Sequence, residues 1–376
     1  MNTQNNVEEL ENKAELFTPI NLGPFELAHR VVMAPLTRMR TVTNFIPNDL
    51  MVEHYSQRAT KGGFIIAEGT VISETGHGYY GAPGIYTNEH VEGWKKVTEA
   101  VHAKGGVIFM QLFHAGRQSH IDLQPGGALP IGPSVVEHED VVYTPNGWLP
   151  ATLNRALETE EVRSLVQGYI KGAKLAKEAG FDGVEVHGAN GYLVDQFLQD
   201  GSNKRTDIYG GSIENRVRFL LEIVEGLVSV WGDDRVGIRV GPSGTFGNMS
   251  DSNPIALFSY AAEQLNKFKL AYLHIIEPRI KGSYMEAEGL EPVAAKHLRG
   301  IFQGTIIAAG GFEYESGNEI IRDGYADLVA YGRHFIANPD LPFRFENGFP
   351  LNPYDRNTFY GGDEKGYNDY PFYKAN

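Results

Sequence analysis

The segment FDGVEVHGANGY, residues 181–192, carries the pattern that decides the fold. Its first part, Gly183–His187, is a short and mostly apolar run that ends in glycine and polar residues. Runs of this kind are typical of strands that are buried on both faces of a parallel sheet. The preceding stretch, Glu160–Ala179, repeats apolar residues at helical spacing, begins with two glutamates and is followed by glycine. Together the two stretches predict a helix that leads into a buried parallel strand.

The same strand pattern occurs eight times in all, with helical patterns between the runs. The predicted strands are Arg30–Ala34, Phe64–Ala67, Val107–Leu112, Gly183–His187, Val236–Val240, Tyr272–Ile276, Thr305–Ala309 and Leu328–Tyr331. The clearest helices are predicted at Glu89–Ala103, Glu160–Ala179 and Glu214–Val230. Strands that alternate with helices in this number predict an α/β fold of the (β/α)8 TIM-barrel type. A doubly wound open sheet is the alternative, but neither GxGxxG nor GxxxxGK[ST] occurs in the chain.

Residues 1–376 are predicted to form one barrel domain, since no linker or composition break divides them. Residues 1–16 are polar and precede an N-terminal capping segment. Two long stretches, 114–158 after the third strand and 339–376 at the end, follow strands on the side where barrels build their sites. With the loop 278–290 after the sixth strand, they are expected to cover the site and to shape substrate choice.

Composition excludes several classes of function. The chain has 33 Lys and Arg against 47 Asp and Glu, a net charge of −14, which argues against binding to nucleic acid or to an acidic membrane. It contains no cysteine, which excludes disulfides, cysteine-ligated zinc or iron–sulfur sites and a cysteine nucleophile. The polar start and the absence of a long apolar run predict a cytoplasmic protein without a membrane helix.

In a barrel of this kind, the chemistry lies at the C-terminal ends of the strands. The seventh and eighth predicted strands end in Gly310-Gly311 and Gly332-Arg333. Bare backbone amides beside one arginine can hold a phosphate. Glycines at these positions also serve tight turns, but their pairing with Arg333 favours a ligand that carries a phosphate.

Arg239 lies within an apolar strand, Val236–Val240. Burying a guanidinium is costly unless a hydrogen-bond acceptor meets it. Two kinds of partner remain open at this point. One is a carboxylate at a neighbouring strand end, such as Glu68 or Glu185, and the other is a ligand that develops negative charge.

His187, Asn190 and Tyr192 follow the fourth predicted strand within six residues. His and Asn side chains can both donate hydrogen bonds to one carbonyl oxygen and stabilise charge that develops there. A nearby tyrosine hydroxyl can supply a proton. A single histidine at a strand end is more often structural, but three such groups at the catalytic end favour chemistry.

A second reaction class is kept open by three carboxylates, Glu68, Glu185 and Glu277, at or near other strand ends. Converging carboxylates with a Lys or His base are typical of metal-dependent barrel lyases. No lysine stands at any predicted strand end, which weighs against this class and against a Schiff-base aldolase.

Several longer motifs of the chain resemble the old yellow enzyme family. They are FTP at 17–19, HRVVMAPLTR at 29–38, HGANGYL at 187–193 and DIYGGSIENR at 207–216. The resemblance runs in the same order from about Leu16 to Tyr373. It is close to the branch that contains 12-oxophytodienoate reductases and bacterial N-ethylmaleimide and nitrate-ester reductases.

The resemblance implies an FMN enzyme that takes electrons from NADPH or NADH and reduces activated C=C bonds of small molecules such as enones, enals and maleimides. Reduction of nitrate esters or nitroaromatics at the same flavin is the alternative, and the protein is expected to be a monomer or a homodimer. His187 and Asn190 would bind the carbonyl oxygen, Tyr192 would protonate Cα and Tyr360 would pack over the substrate. The flavin would be held by Pro35, Leu36, Thr37, Gly69, Gln111, Arg239, Gly310, Gly311, Gly332 and Arg333. Plant oxophytodienoate reductases carry a second histidine where Asn190 stands, which argues against the jasmonate precursor as substrate.

Overall fold

Eight parallel strands close into a barrel in the order of the chain. The structure, a computed structural model, describes residues 14–41, 43–278, 280–281, 284–285 and 294–375. Strands β1–β8 are Val31–Met33, Phe64–Val71, Val107–Phe113, Gly183–Gly188, Val236–Val240, Tyr272–Ile276, Ile306–Ala309 and Leu328–Tyr331. Strand β8 pairs with β1, with Tyr331 opposite Met33, and this pairing closes the sheet. The (β/α)8 barrel and its eight predicted strands are confirmed, and the open doubly wound sheet is wrong.

Helices cover the outside of the barrel. Helices α1–α10 of the described residues are Asp49–Arg58, Asn88–His102, Thr159–Glu178, Leu193–Leu198, Ile213–Trp231, Pro254–Leu265, Ala295–Arg299, Tyr314–Arg322, Arg333–Ala337 and Leu341–Glu346. In α3, the predicted apolar stripe is buried through Val162, Val166 and Tyr169. None of the helices in this part of the chain combines the length and the hydropathy that crossing a membrane requires.

A short hairpin closes the N-terminal end of the barrel. Its antiparallel strands, Ile20–Leu22 and Phe25–Leu27, precede β1. Leu22 and Leu27 are fully buried and belong to the same apolar cluster as the residues inside the barrel. The hairpin is therefore the predicted capping segment, and a ligand has to enter from the opposite end. That residues 1–376 form one domain stays a prediction, and residues 1–13 of the polar arm lie outside the described residues.

The interior of the barrel is divided into an apolar half and a polar half. Strands β1, β2, β7 and β8 and the residues that follow them contribute apolar side chains, among them the small Ala34, Ala309 and Ala330. Strands β3–β6 add the rings of Phe109 and Tyr272 to that cluster. Farther along the same strands, five polar side chains are buried, which are Gln111, Glu185, His187, Arg239 and His274. Small side chains on one side leave room for a ligand, and polar ones on the other can bind it.

The two long stretches of chain lie over the open end of the barrel. The stretch 114–158 forms a parallel pair, Ile131–Gly132 with Arg155–Ala156, and a hairpin, Val141–Thr144 with Gly147–Pro150. Because Thr144 is opposite Gly147, the two central residues of this hairpin are Pro145 and Asn146. Of the loop 278–290, only Pro278 and the short strands Ile280–Lys281 and Tyr284–Met285 fall within the described residues.

The hairpin that closes the N-terminal end should contribute measurably to stability. Replacing the buried Leu22 by Ala removes apolar contacts and leaves a cavity, so we expect the free energy of unfolding to fall by about 2–5 kcal/mol. The matched control is Leu129→Ala, whose side chain is 48% exposed, and which should change stability by less than about 0.5 kcal/mol. Urea unfolding followed by circular dichroism measures both. Equal stability of the two variants would show that the hairpin is not part of the core.

Candidate active site

A cavity of about 540 Å³ opens at the C-terminal ends of the strands. Thirteen of the fourteen predicted site residues line it, namely Pro35, Leu36, Thr37, Gln111, His187, Asn190, Tyr192, Arg239, Gly310, Gly311, Gly332, Arg333 and Tyr360. The remaining one, Gly69, lies in β2 next to Gln111, because a Cβ atom at Gly69 would be 3.4 Å from Gln111 Oε1. The structure thus brings the set together, while the role of each residue stays a prediction.

The edge formed by the ends of β7 and β8 has room only for backbone. Gly310 has φ +114°, a conformation that residues with a side chain rarely adopt, and a Cβ atom there would approach Glu277 O to 3.2 Å. A Cβ atom at Gly332 would lie 3.2 Å from a methyl group of Leu36. Arg333 follows at once, and its Nη1 lies 3.3 Å from the Tyr354 hydroxyl. Exposed backbone beside a guanidinium suits a phosphate group.

Arg239 is buried in β5, where it is paired in register with His187 of β4 on one side and His274 of β6 on the other. Burial lowers the pKa of its guanidinium, and the nearby Glu185 carboxylate opposes that shift. Within the described residues, Arg239 Nε has no hydrogen-bond partner. The guanidinium is therefore positioned to interact with a ligand in the cavity.

The two carboxylates that could have bound Arg239 accept hydrogen bonds from other groups. Glu68 accepts from the Arg38 backbone N–H at 3.2 Å and from the Tyr55 hydroxyl at 3.1 Å. Glu185 accepts from Gln111 Nε2 at 2.7 Å and pairs with His274 Nδ1 at 2.9 Å. Of the two kinds of partner left open for Arg239, a hydrogen-bonded strand-end carboxylate is therefore not supported, although the charge of Glu185 acts on Arg239 through space.

His187 is buried beside Arg239, and its Nδ1 has no partner among the residues that the structure describes. Burial, with the neighbouring Arg239 charge, holds its pKa well below the usual 6.5. The imidazole is thus neutral at physiological pH. It can donate a hydrogen bond to a ligand in the cavity without bringing a further positive charge next to Arg239.

The loop that carries Asn190 is held by side chains of its neighbours. Asn190 has φ +57°, in the left-handed region that asparagine tolerates better than most residues. Gln118 Nε2 donates to the carbonyl oxygens of Asn190 and Gly191, at 3.1 Å and 2.9 Å. Asp195 accepts from the Gly191 N–H at 2.9 Å. The loop therefore has a fixed shape from which Asn190 lines the cavity.

Tyr192 lies next to His187 at the cavity. Its ring centroid lies 5.0 Å from that of His187, and Phe113 packs edge-on against it at 4.5 Å. The Tyr192 and Tyr79 hydroxyls are 3.1 Å apart. Burial raises the pKa of Tyr192 above its usual value, while the hydrogen bond with Tyr79 acts in the opposite direction. The phenol is therefore protonated at neutral pH and can act as a proton donor.

Some residues of the cavity were missed by the sequence reasoning. Arg38 Nε donates to the Phe359 carbonyl at 2.8 Å, and Arg40 Nη2 donates to that of Thr358 at 3.0 Å. These bonds hold the C-terminal stretch over the cavity, so that Tyr360, 42% exposed, faces Trp148 with ring centroids 6.0 Å apart. Arg38 is the last residue of the HRVVMAPLTR motif, but nothing in the sequence pairs it with residues more than 300 positions away.

The metal-dependent alternative finds no support in the arrangement of its three carboxylates. Glu68 and Glu185 accept from the groups given above, and Glu277 Oε1 accepts from the Ala295 N–H at 2.9 Å. In the described part of the chain, no three His, Cys, Asp or Glu side chains come together in a way that could hold a metal ion. Each of the three carboxylates faces a different set of donors, so the described residues do not bring them together as this alternative requires.

Comparisons with known proteins show the family of the chain. Residues 15–352 match the NADH:flavin oxidoreductase / NADH oxidase family. The chain is 50% identical over 363 residues to 12-oxophytodienoate reductase 1 of Oryza sativa subsp. japonica, covering 95% of this chain and 93% of the relative. It is 46% identical to 12-oxophytodienoate reductase 2 of Arabidopsis thaliana, covering 96% and 97%. The structure of morphinone reductase in complex with tetrahydroNAD matches with a TM-score of 0.88 and 47% identity, over 96% and 98% of the two chains. The chain therefore belongs to the old yellow enzyme family, the FMN-dependent oxidoreductases that use NAD(P)H.

Proposed function

We propose that this protein is an ene-reductase that reduces the C=C bond of α,β-unsaturated carbonyl compounds with electrons from NADPH or NADH. The observation that carries the proposal is the placement of His187, Asn190 and Tyr192 around one cavity, next to the buried guanidinium of Arg239. Two groups that can bind a carbonyl oxygen and one that can give a proton are what such a reduction needs.

FMN fits the residues that are present. Arg239 Nε and His187 Nδ1 are buried without partners in the described residues, and the edge at Gly310 and Gly332 leaves no space for a side chain. Arg239 would face the part of the ring that becomes anionic on reduction. Pro35, Leu36, Thr37, Gly69 and Gln111 would contact the ring, and Gly310, Gly311, Gly332 and Arg333 would hold the phosphate. When bound and reduced, FMN supplies the hydride that adds to Cβ of the substrate.

The protein's own residues do the rest of the chemistry. His187 and Asn190 donate hydrogen bonds to the substrate carbonyl oxygen, which gains negative charge as Cβ is reduced. Removing one donor of this kind raises the barrier by about 2.7–4 kcal/mol. Tyr192 transfers its phenolic proton to Cα, so that hydride and proton together saturate the double bond. Tyr360 and Trp148 stand at the mouth of the cavity and limit its contact with water.

The names of the relatives support carbonyl-conjugated substrates. A 12-oxophytodienoate reductase and a morphinone reductase are both named for compounds that contain a ketone group. We place this chain in the same substrate class, namely enones, enals and maleimides. The resemblance implied that His187 and Asn190 bind the carbonyl oxygen as a pair. This pair would serve any compound of the class, whichever one is the natural substrate.

Purified protein should bind FMN and cycle it. We expect the yellow absorbance of the bound flavin to bleach when NADPH or NADH is added without oxygen, and to return when 2-cyclohexenone follows. Absorbance spectra recorded in an anaerobic cuvette measure both steps. Protein that stays colourless and takes up no added FMN would contradict the proposal.

The variant Tyr192→Phe should separate the two half-reactions. Flavin reduction by NADPH or NADH needs no proton from Tyr192, so its rate should be retained. Oxidation by 2-cyclohexenone should slow by about 10²–10⁴-fold, because the proton donor is lost. Anaerobic stopped-flow absorbance measures each rate.

The matched control for this variant is Tyr325→Phe, since Tyr325 does not line the cavity, and both of its half-reactions should be unchanged. Equal loss of both half-reactions in Tyr192→Phe would contradict the assignment of the proton donor.

A further inference from the structure

One buried carboxylate at the base of the cavity has no part in the proposed chemistry. Glu185 lies in β4 two residues before His187, so both side chains point into the barrel. It is 0% exposed. Burying a carboxylate costs free energy unless several hydrogen-bond donors contact it. The two oxygens of Glu185 accept hydrogen bonds from residues of different strands. The donors are Gln111 Nε2 of β3, at 2.7 Å, and His274 Nδ1 of β6, at 2.9 Å.

The bond to Glu185 decides which way the Gln111 amide points. A glutamine amide has a donor end and an acceptor end of nearly the same shape, and its surroundings fix the orientation. A carboxylate only accepts hydrogen bonds, so it holds the NH₂ end of Gln111. Oε1 is left on the other side, where it would lie 3.4 Å from a Cβ atom at Gly69. Gln111 lines the cavity, and it therefore offers the cavity an acceptor.

His274 secures Glu185 from the other side. Burial lowers the pKa of His274, so its ring is neutral. A neutral ring whose Nδ1 faces a carboxylate carries its proton on that nitrogen. His274 thus donates to Glu185, and each carboxylate oxygen of Glu185 has one donor. Arg239, paired in register with His274, adds an attractive charge nearby.

We propose that Glu185 is a positioning residue that turns Gln111 so that its amide oxygen faces the ligand. The site then selects a ring edge that presents an N–H group, such as the imide edge of the flavin. This inference rests on the proposed function, because it takes FMN as the ligand. Glu185 would act without touching the flavin, by fixing a group that does.

A double-mutant cycle of Glu185→Gln and Gln111→Leu tests this coupling. A glutamine at 185 can itself donate to Gln111, which lets the Gln111 amide turn over. We expect Glu185→Gln to weaken FMN binding to the apoprotein about 10- to 100-fold, as when a charge-assisted hydrogen bond is lost. In the Gln111→Leu background the same change should alter the Kd less than about threefold, because the group it orients is gone. Quenching of FMN fluorescence measures all four affinities.

The reduction potential of the bound flavin gives a second readout. Removing a buried negative charge favours added electrons, so the potential should rise in Glu185→Gln. The control Glu222→Gln removes a carboxylate that accepts a hydrogen bond from Tyr209, on helix α5 and without a contact to Gln111. It should leave both the Kd and the potential unchanged.

The outcomes are distinct. Additive losses of affinity in the cycle, or wild-type affinity in folded Glu185→Gln, would overturn the role of Glu185 while leaving the ene-reductase proposal intact. Failure of the wild-type apoprotein to bind FMN would overturn the proposed function itself. If Glu185→Gln does not fold, Glu185→Asp takes its place in the cycle. The aspartate keeps the charge, but its side chain is one methylene shorter, so the carboxylate is farther from Gln111. The same non-additivity with Gln111→Leu is then expected, and additivity refutes the inference.

Discussion

Pairing of β8 with β1 closes the sheet, and the site depends on that closure. In a closed parallel barrel every strand ends at the same rim, so residues far apart in the chain become neighbours there. Pro35 follows β1 and Arg333 follows β8, yet both line one cavity. The hairpin before β1 fills the opposite end with apolar side chains. A ligand is therefore confined to the one rim that carries polar groups.

The buried charge of Arg239 makes the stability of the barrel depend on what the cavity binds. Arg239 is buried with an Nε that has no partner in the described residues, and one buried anion, Glu185, lies nearby with donors of its own. Such a guanidinium lowers stability until an acceptor meets it. An FMN ring that becomes anionic on reduction would meet that need, so the same residue links ligand binding to the stability of the folded state.

The rim is completed by chain that does not belong to the barrel. Arg38 and Arg40 hold backbone carbonyls of the C-terminal stretch, and the hairpin at 141–150 brings Trp148 against Tyr360. Both arginines follow directly after the Pro35–Thr37 segment, so the segment expected to contact FMN and the stretch expected to cover the substrate are tied together. We expect a substitution that moves one of these two segments to move the other as well.

The amino-acid sequence by itself determined the eight strands, the main helices and the donors His187, Asn190 and Tyr192, because apolar periodicity and motifs are local properties. It also placed Arg239 in an apolar strand, but it left the partner of that residue open. Only the tertiary structure decided that Glu185 meets Gln111 and His274 rather than Arg239, and that Tyr79 meets Tyr192. These pairs are 74, 89 and 113 positions apart. Such contacts follow from the register of neighbouring strands and the course of the loops, which depend on how the whole barrel closes and not on any local stretch of sequence.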